Sequence, residues 1–250
     1  MESKVLINNF ATRSFRDIAD QDYIAARLSY RHGLYSQFHW QSLQALEKYL
    51  KAILLYNRIE ARNINHDIEC AFEHTKKLPF EILRSNCTDN FIKHLSNFGR
   101  FRYLESSYFI RGPKLVELDK AVWEIRRYCK ILDYDKKLPD GKLQNMLESE
   151  IEMIKKSEEI PPHKFKISGG LLENIIDKTN NTNTARSALI WQNAFFGKIT
   201  RNLVRVPAPF HAVNSPLSLY PEILDELLKY IFLPRDVVNA YREIAKRKKR

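Results

Sequence analysis

The amino-acid sequence predicts an all-α protein, in which an antiparallel bundle of four to five helices precedes a helical C-terminal extension. Through long stretches, apolar residues recur at intervals of three and four, which is the spacing of one face of a helix. Only seven glycines and ten prolines interrupt the 250 residues. Hydrophobic residues make up 44% of the chain, near the level of ordinary globular proteins, so a folded core is expected.

The first two helices are predicted at residues 14–31 and 35–57. Ser14 suits an N-cap position, and Gly33 separates the two periodic stretches. A link this short makes consecutive helices antiparallel neighbours. The second stretch carries an apolar face that comprises Phe38, Leu46, Leu50, Ile53 and Leu54. Glu47, Lys48 and Lys51 fall on a second face, so this helix is expected to pack on one side and to meet a polar partner on the other.

Three further helices are predicted in the first half, at residues 66–78, 88–98 and 114–132. Thr88 can cap the second of them, and Gly99 ends it. The aromatic segment 101–113 is predicted to be irregular, and it closes on the turn signal Gly112-Pro113. The charged, turn-rich stretch 133–141 is typical of a linker. We therefore divide the chain into a helical bundle of residues 1–135 and an α-helical region of residues 136–250 with a basic tail.

In the second region, helices are predicted at residues 142–159, 184–204, 221–233 and 234–250. The proline-rich stretch 206–221 is expected to be extended between them. Each of the last two helices opens on a proline, which suits the first turn of a helix. The pattern leaves open whether this region folds independently or packs on the first bundle.

The charge of the chain is compatible with a phosphate-rich partner. The formal net charge is +11, and the last nine residues, REIAKRKKR, supply six basic side chains and one acidic one. A positive surface attracts nucleic acid without sequence preference. A basic tail that only aids solubility is an equal alternative.

Several classes of protein are excluded by what the sequence lacks. No apolar run approaches the roughly 20 residues that span a bilayer, and no secretory signal opens the chain, so no membrane partner is expected. Cys70, Cys87 and Cys129 have no paired spacing, which is typical of a reducing cytoplasm. A glycine-rich phosphate loop, an HExxH motif and a paired-cysteine zinc site are absent from the sequence. We therefore expect a cytoplasmic protein without a cofactor or metal.

Four short motifs occur in a recognisable order. Residues 19–23 read ADQDY, residues 44–52 read QALEKYLKA, residues 66–68 read HDI, and residues 102–103 read RY. This order resembles the HEPN superfamily (higher eukaryotes and prokaryotes nucleotide-binding) over about residues 15–133. The resemblance implies a bundle of four or five helices that is commonly a homodimer. It also implies either a module that binds nucleotides or accompanies a nucleotidyltransferase partner protein, or an RNA-cleaving enzyme.

The RNA-cleaving members carry an arginine followed, after four to six residues, by a histidine late in the domain. In that pair, the histidine moves a proton of the ribose hydroxyl and the arginine stabilises charge on the phosphate. Two spacings fit here, Arg27 with His32 and Arg205 with His211, about as many as chance placement gives. Neither pair lies where the family places its own, and the helix predicted at 114–132 carries Arg126 and Arg127 without a histidine. We therefore favour a non-catalytic module. A metal-independent ribonuclease of a toxin or phage-defence system and a helical scaffold are the alternatives.

The binding candidates are basic and aromatic residues on the part of the chain that resembles the family. Lysine contacts phosphate as a point charge, and guanidinium groups clamp it through paired donors while a neighbouring ring offers a stacking surface. The predicted nucleotide- or RNA-binding residues are Lys48, Lys51, His66, Arg100, Arg102 and Tyr103. The competing interpretation is that the lysines lie on a solvated helix face and that His66 only bonds to a neighbouring loop.

Overall fold

The structure, a computed structural model, describes residues 3–62, 64, 67–99, 104–177 and 184–248. The helices of the first half are α1 (Ser3–Phe10), α2 (Asp17–Arg31), α3 (Tyr35–Tyr56), α4 (Ile68–Thr75), α5 (Asn86–Phe98) and α6 (Lys114–Arg126). Those of the second half are α7 (Leu147–Lys156), α8 (Leu171–Asp177), α9 (Thr184–Ile190), α10 (Pro216–Leu219), α11 (Leu224–Leu227) and α12 (Arg235–Lys248). A π-helix (Ala11–Arg16) joins α1 to α2.

Strands are a minor part of the described chain. Strand β1 (Tyr108–Arg111) pairs with β4 (Phe210–Val213), and β2 (Asp135–Lys137) pairs with β3 (Leu143–Asn145), both antiparallel. Everything else that is regular is helical, which confirms the predicted all-α class. No helix in the described ranges is long and apolar enough to cross a membrane.

Helix α3 is the centre of the bundle. It contacts the π-helix and the helices α1, α2, α4, α5 and α6. The five residues of its predicted apolar face are fully buried, which confirms that face. The turn between α2 and α3 depends on Gly33, whose φ of +73° lies in the left-handed region that glycine adopts at little cost.

Helix boundaries in the first half differ from the prediction for local reasons. Helix α5 starts at Asn86 because Ser85, rather than Thr88, caps it: the Ser85 side chain accepts a hydrogen bond from the backbone N–H of Thr88 at 3.5 Å. The helix predicted at 114–132 is too long. After Arg126 the backbone tightens into turns, in which the N–H of Cys129 bonds to the carbonyl of Arg126.

Two segments predicted to lack regular structure contribute strands. Within 101–113, residues 108–111 form β1, and Ile110 lies opposite His211 of β4. Within the predicted linker 133–141, residues 135–137 pair with 143–145, so the helix predicted at 142–159 begins only at Leu147. A four-residue strand whose partner lies about 100 residues away leaves no periodic signal in the sequence.

The helix predicted at 184–204 ends at Ile190, and the reason is Asn193. Its side-chain oxygen accepts the backbone N–H groups of Phe195 and Phe196, at 2.9 and 3.0 Å. Its side-chain nitrogen donates to the Leu189 carbonyl at 2.9 Å. Such side-chain bonds replace the helical ladder and turn the backbone away. The helix predicted at 221–233 is likewise reduced to a 3-10 turn followed by α11.

The main hydrophobic core draws on both sides of residue 135. Ile154, Leu172, Ile176, Leu189 and Phe196 are buried in the same cluster as the apolar face of α3. Helices α8 and α9 pack on α2. Residues 147–177 and 184–206 therefore pack on the first bundle and do not form a core of their own. A separate small cluster comprises Leu217, Leu224, Leu233, Val237 and Tyr241.

Candidate functional site

The segment ADQDY at residues 19–23 holds three helices together. Asp20 accepts two hydrogen bonds from the Arg126 guanidinium, at 2.7 and 2.9 Å, and a third from Tyr49 at 2.6 Å. Tyr23 donates to Asp119 at 2.7 Å. Asp22 forms an ion pair with Lys48. Asp20, Asp22 and Tyr23 therefore each contact α3 or α6, so the motif has a structural function.

The buried charges around α2 are compensated within the protein. Burial raises the pKa of Asp20 and of Asp119, and the neighbouring guanidinium groups of Arg126 and Arg27 oppose that rise. Arg126 also binds Glu173 of α8 through 2.7 and 2.8 Å hydrogen bonds. Buried ion pairs of this kind need such extra hydrogen bonds to offset the loss of hydration.

Arg27, a catalytic candidate, lies inside this network. It is 1% exposed, pairs with Asp119, and donates to the carbonyl groups of Ala188 and Trp191. His32, its proposed partner, is exposed at the C-terminal end of α2. One member of the pair is therefore enclosed and the other lies at the surface.

The second candidate pair lies in the C-terminal region. Arg205 is exposed, and its backbone N–H donates to the side-chain oxygen of Gln192 at 2.9 Å. His211 is exposed in β4, where its ring centre lies 5.4 Å from that of Tyr35. Arg126 and Arg127 of the α6 region are both 2% exposed. Arg127 donates to the Ile154 carbonyl and to the hydroxyl of Ser157.

Of the six binding candidates, the structure describes the two lysines. His66, Arg100, Arg102 and Tyr103 lie outside the described residues. Lys48 and Lys51 lie on α3, and both side chains are partly buried. Lys51 donates to Glu47 at 2.5 Å, and Glu47 is itself almost wholly buried.

Lys51 lines a groove between α1, the π-helix and the end of α3. This α3 groove has a volume of about 560 Å³ and is lined by Ile7, Phe15, Lys51, Leu55, Arg58, Ile59, Glu60, Ala61 and Arg62. Its floor is apolar, and its polar rim carries three cations and one carboxylate. The volume falls within the roughly 300–1,000 Å³ of small-molecule sites.

Arg58 is held at the rim by the backbone. Its φ of +59° is unusual for a residue other than glycine. The guanidinium donates to the carbonyl groups of Leu55 at 2.6 Å and Lys4 at 2.9 Å, which fixes its position without a carboxylate. Arg62 is 3.7 Å from Glu60, and both side chains are exposed, so this contact is weak. Sequence reasoning missed both arginines, although the run NRIEAR directly follows the helix that carries Lys51.

The described residues contain no group of three or more His, Cys, Asp or Glu side chains that could hold a metal ion. The chemistry open to the groove is the recognition of an anion joined to an apolar or aromatic group.

Comparison with known proteins identifies the first half of the chain. Residues 12–133 match the family model described as HEPN domain. A search of curated proteins found no match, and a search of solved structures found none either. The matched range contains α2 to α6, the ADQDY segment and the α3 groove except for Ile7. Residues 12–133 of this chain are therefore a HEPN domain, a helical module of a family that is associated with nucleotides and RNA.

Proposed function

We propose that this protein is a non-catalytic module that binds a nucleotide or single-stranded RNA in the α3 groove. The observation that carries the proposal is the composition of that groove. An apolar floor containing Phe15 adjoins Lys51, Arg58 and Arg62, against which Glu60 is the one acidic lining residue that the structure describes. An aromatic ring can stack on a base, and guanidinium groups bind phosphate oxygens in pairs.

The two lysines of α3 have different roles in this proposal. Lys51 lines the groove and neutralises the buried Glu47, so its ammonium group is held in place for a second, weaker contact with phosphate. Lys48 is paired with Asp22 and is proposed to add positive potential beside the groove. His66 follows the groove residue Arg62 by four positions, and it stays a proposed contact together with Arg100, Arg102 and Tyr103.

The test is a titration of the purified protein with ATP and with a short single-stranded RNA, at two salt concentrations. Arg58→Gln and Arg62→Gln are expected to weaken binding several-fold each and to reduce the dependence on salt, because each removes one phosphate contact. Lys137→Gln is the matched control, since it removes one exposed charge in the β2–β3 hairpin. Undetectable binding of both ligands, or equal losses in the control, would contradict the proposal.

The absence of catalysis is a separate part of the proposal, and the enclosure of Arg27, Arg126 and Arg127 supports it. Their guanidinium groups are engaged by protein atoms and cannot stabilise charge on a phosphate. We expect no cleavage of labelled RNA in the presence of a chelator. Cleavage that His32→Ala or His211→Ala abolishes would instead identify a metal-independent ribonuclease of the toxin or phage-defence type.

We also propose a homodimer, because HEPN domains commonly pair and α1 exposes apolar side chains at Val5, Leu6 and Phe10. Light scattering should then give twice the chain mass of 29.5 kDa, and the monomer mass alone would contradict it. A nucleotidyltransferase is the proposed partner protein. Co-purification of the two would support that pairing, whereas a scaffold role would leave the groove arginines replaceable without effect on binding.

A further inference from the structure

A second basic pocket lies where the C-terminal region meets the HEPN domain. It has a volume of about 410 Å³ and forms between the end of α2 and the end of α9. Arg31 comes from α2, whereas Arg186, Trp191 and Arg201 come from residues outside the HEPN match. The two sources are more than 150 positions apart in the sequence, so the pocket exists only when the C-terminal region packs on the domain.

The charge of this pocket is of one sign. Its lining includes three arginines, and none of its described lining residues is acidic. Neither Arg31 nor Arg201 forms an ion pair with a described carboxylate, in contrast to Lys48 and Lys51. Positive side chains that line one concave space repel each other, and this repulsion is relieved when an anion binds between them.

The aromatic wall of the pocket is fixed before any ligand arrives. The guanidinium carbon of Arg31 lies 5.0 Å from the centre of the Trp191 ring. The backbone carbonyl of Trp191 accepts a hydrogen bond from Arg27, and the backbone N–H of Trp191 donates to the Ser187 carbonyl at 3.1 Å. The next residue, Gln192, has a φ of +46°, and its side chain accepts the N–H of Arg205. A guanidinium stacked on an indole keeps its N–H groups free to point along the ring edge.

We propose that this arginine–tryptophan pocket binds a terminal phosphate monoester, carried either by a free nucleotide or by the end of an RNA strand. A monoester has a charge of about −1.5 to −2 at pH 7, so it matches a pocket that contains Arg31 and Arg201 better than the single charge of an internal phosphodiester does. The pocket is smaller than the α3 groove and has room for one nucleotide rather than for a run of them. The site is separate from the α3 groove, and it gives the C-terminal region a part in ligand recognition.

The experiment compares two pairs of ligands that differ only in the phosphate. One pair is AMP and adenosine, and the other is a short single-stranded RNA with a 5′-phosphate or a 5′-hydroxyl group. Binding is measured by calorimetry at low salt. The phosphorylated member of at least one pair should bind about tenfold more tightly, as expected for charge-assisted hydrogen bonds. A preference for AMP alone assigns the pocket to free nucleotides, and a preference between the RNAs assigns it to a strand end.

Variants separate this pocket from the α3 groove. Arg201→Gln and Arg31→Gln should each remove most of the phosphate preference, and Arg31→Lys should restore little of it because lysine lacks the paired donors. Arg58→Gln, which changes only the separate α3 groove, should leave the phosphate preference intact. Arg201 is outside the helices, so its variant tests the proposal even if Arg31→Gln unfolds. Equal binding of phosphorylated and unphosphorylated ligands by the unmodified protein would overturn the proposal, and so would a preference that survives Arg201→Gln.

Discussion

Two histidines contact each other inside the bundle. The Nε2 atoms of His39 on α3 and His94 on α5 are 2.9 Å apart. His39 is 1% exposed, and the rings of Phe98 and Tyr108 surround it. Burial, together with His94 and Lys114, lowers the pKa of His39 to about 3. Burial and Lys114 lower the pKa of His94 to about 4. Both rings are therefore neutral at pH 7, and the Nε2–H of one ring donates a hydrogen bond to the Nε2 of the other.

These histidines predict a loss of stability in mild acid. The unfolded chain binds protons at both rings near pH 6.5, whereas the folded protein does so only near pH 4 and pH 3. Between these pH values, the unfolded state therefore binds more protons than the folded state does. Above pH 6.5 the two histidines do not lower the free energy of unfolding. As the pH drops below 6.5, each histidine lowers the free energy of unfolding by about 1.4 kcal/mol per pH unit.

Urea unfolding at pH 7 and pH 5 measures this effect. His94→Phe should reduce the difference between the two pH values, because it removes one of the two sites and leaves His39 as the other. His32→Gln is the control, since this histidine is exposed after α2. A difference between pH 7 and pH 5 that is the same in all three proteins would refute the assignment.

The Arg27–Asp119 pair predicts a large effect of a small change. Asp119→Asn keeps the shape of the side chain but leaves the guanidinium of Arg27 buried without a counter-charge. Removing one partner of a buried pair costs about 3–5 kcal/mol in the free energy of unfolding. Asp177→Asn, which breaks an exposed pair with Lys166, should cost less than about 1 kcal/mol. Denaturation curves that give similar losses for the two variants would be inconsistent with a structural role of Asp119.

At the scale of elements, the C-terminal end of α5 packs closely against α3. A Cβ atom added to Gly99 would lie 2.8 Å from the Leu95 carbonyl oxygen, 3.1 Å from that of His39 and 3.1 Å from the Leu43 Cβ. Backbone atoms cannot move away cheaply. Gly99→Ala is therefore expected to destabilise the protein by about 1–3 kcal/mol through overpacking.

Gly197→Ala provides the matched comparison for this substitution. The added Cβ would meet only the Ile199 carbonyl, at an ordinary distance of 3.8 Å. Its effect on the thermal midpoint should be small. If Gly99→Ala lowered the thermal midpoint no more than Gly197→Ala does, the close approach of α5 to α3 would be refuted.

Local pattern predicted those elements whose stabilising contacts are local. The periodicity of α3 and the glycine before it were sufficient for that helix, because its burial follows from residues three and four apart. The end of α9 was missed because the side chain of Asn193 competes for backbone N–H groups. The presence of an asparagine in the sequence does not by itself predict this competition. Strand β1 was missed because its partner, β4, is distant in the sequence.

The candidate sites were predictable to a smaller extent. Lys51 was identified from its position on α3, and it does line a groove. The left-handed backbone that brings Arg58 to the same rim has no signature in the sequence. Arg31 and Trp191 meet only through the packing of α9 on α2, so no spacing rule could pair them.

At the scale of the whole molecule, the C-terminal region completes the core of the HEPN domain. Leu172, Ile176 and Leu189 are buried against it, and Glu173 and Ala188 satisfy arginines of α6 and α2. A chain of residues 1–135 would expose these apolar surfaces, and Arg126 would lose Glu173 while Arg27 would lose the Ala188 carbonyl.

Truncation tests that dependence and the proposed division at residue 135. A protein of residues 1–135 should aggregate or lose its cooperative thermal transition, because its core is incomplete. A protein of residues 1–214 keeps β4 and the main core but lacks the small cluster around Leu224 and Tyr241, so its transition should persist. Cooperative unfolding of residues 1–135 at the temperature of the full chain would contradict this dependence.

The π-helix between α1 and α2 has a further consequence, for the phase of the N-terminus. A π-turn holds one residue more than an α-turn, and successive α-helical residues are about 100° apart around the axis. If the same residues at positions 11–16 ran on as regular α-helix, the extra residue that the wide turn absorbs would instead rotate everything upstream by about that angle. Ile7 would swing out of the wall that it shares with Phe15, and Thr12 would leave the hydroxyl of Tyr56, 2.6 Å away. The width of this one turn therefore sets which side of the first helix the rest of the protein meets.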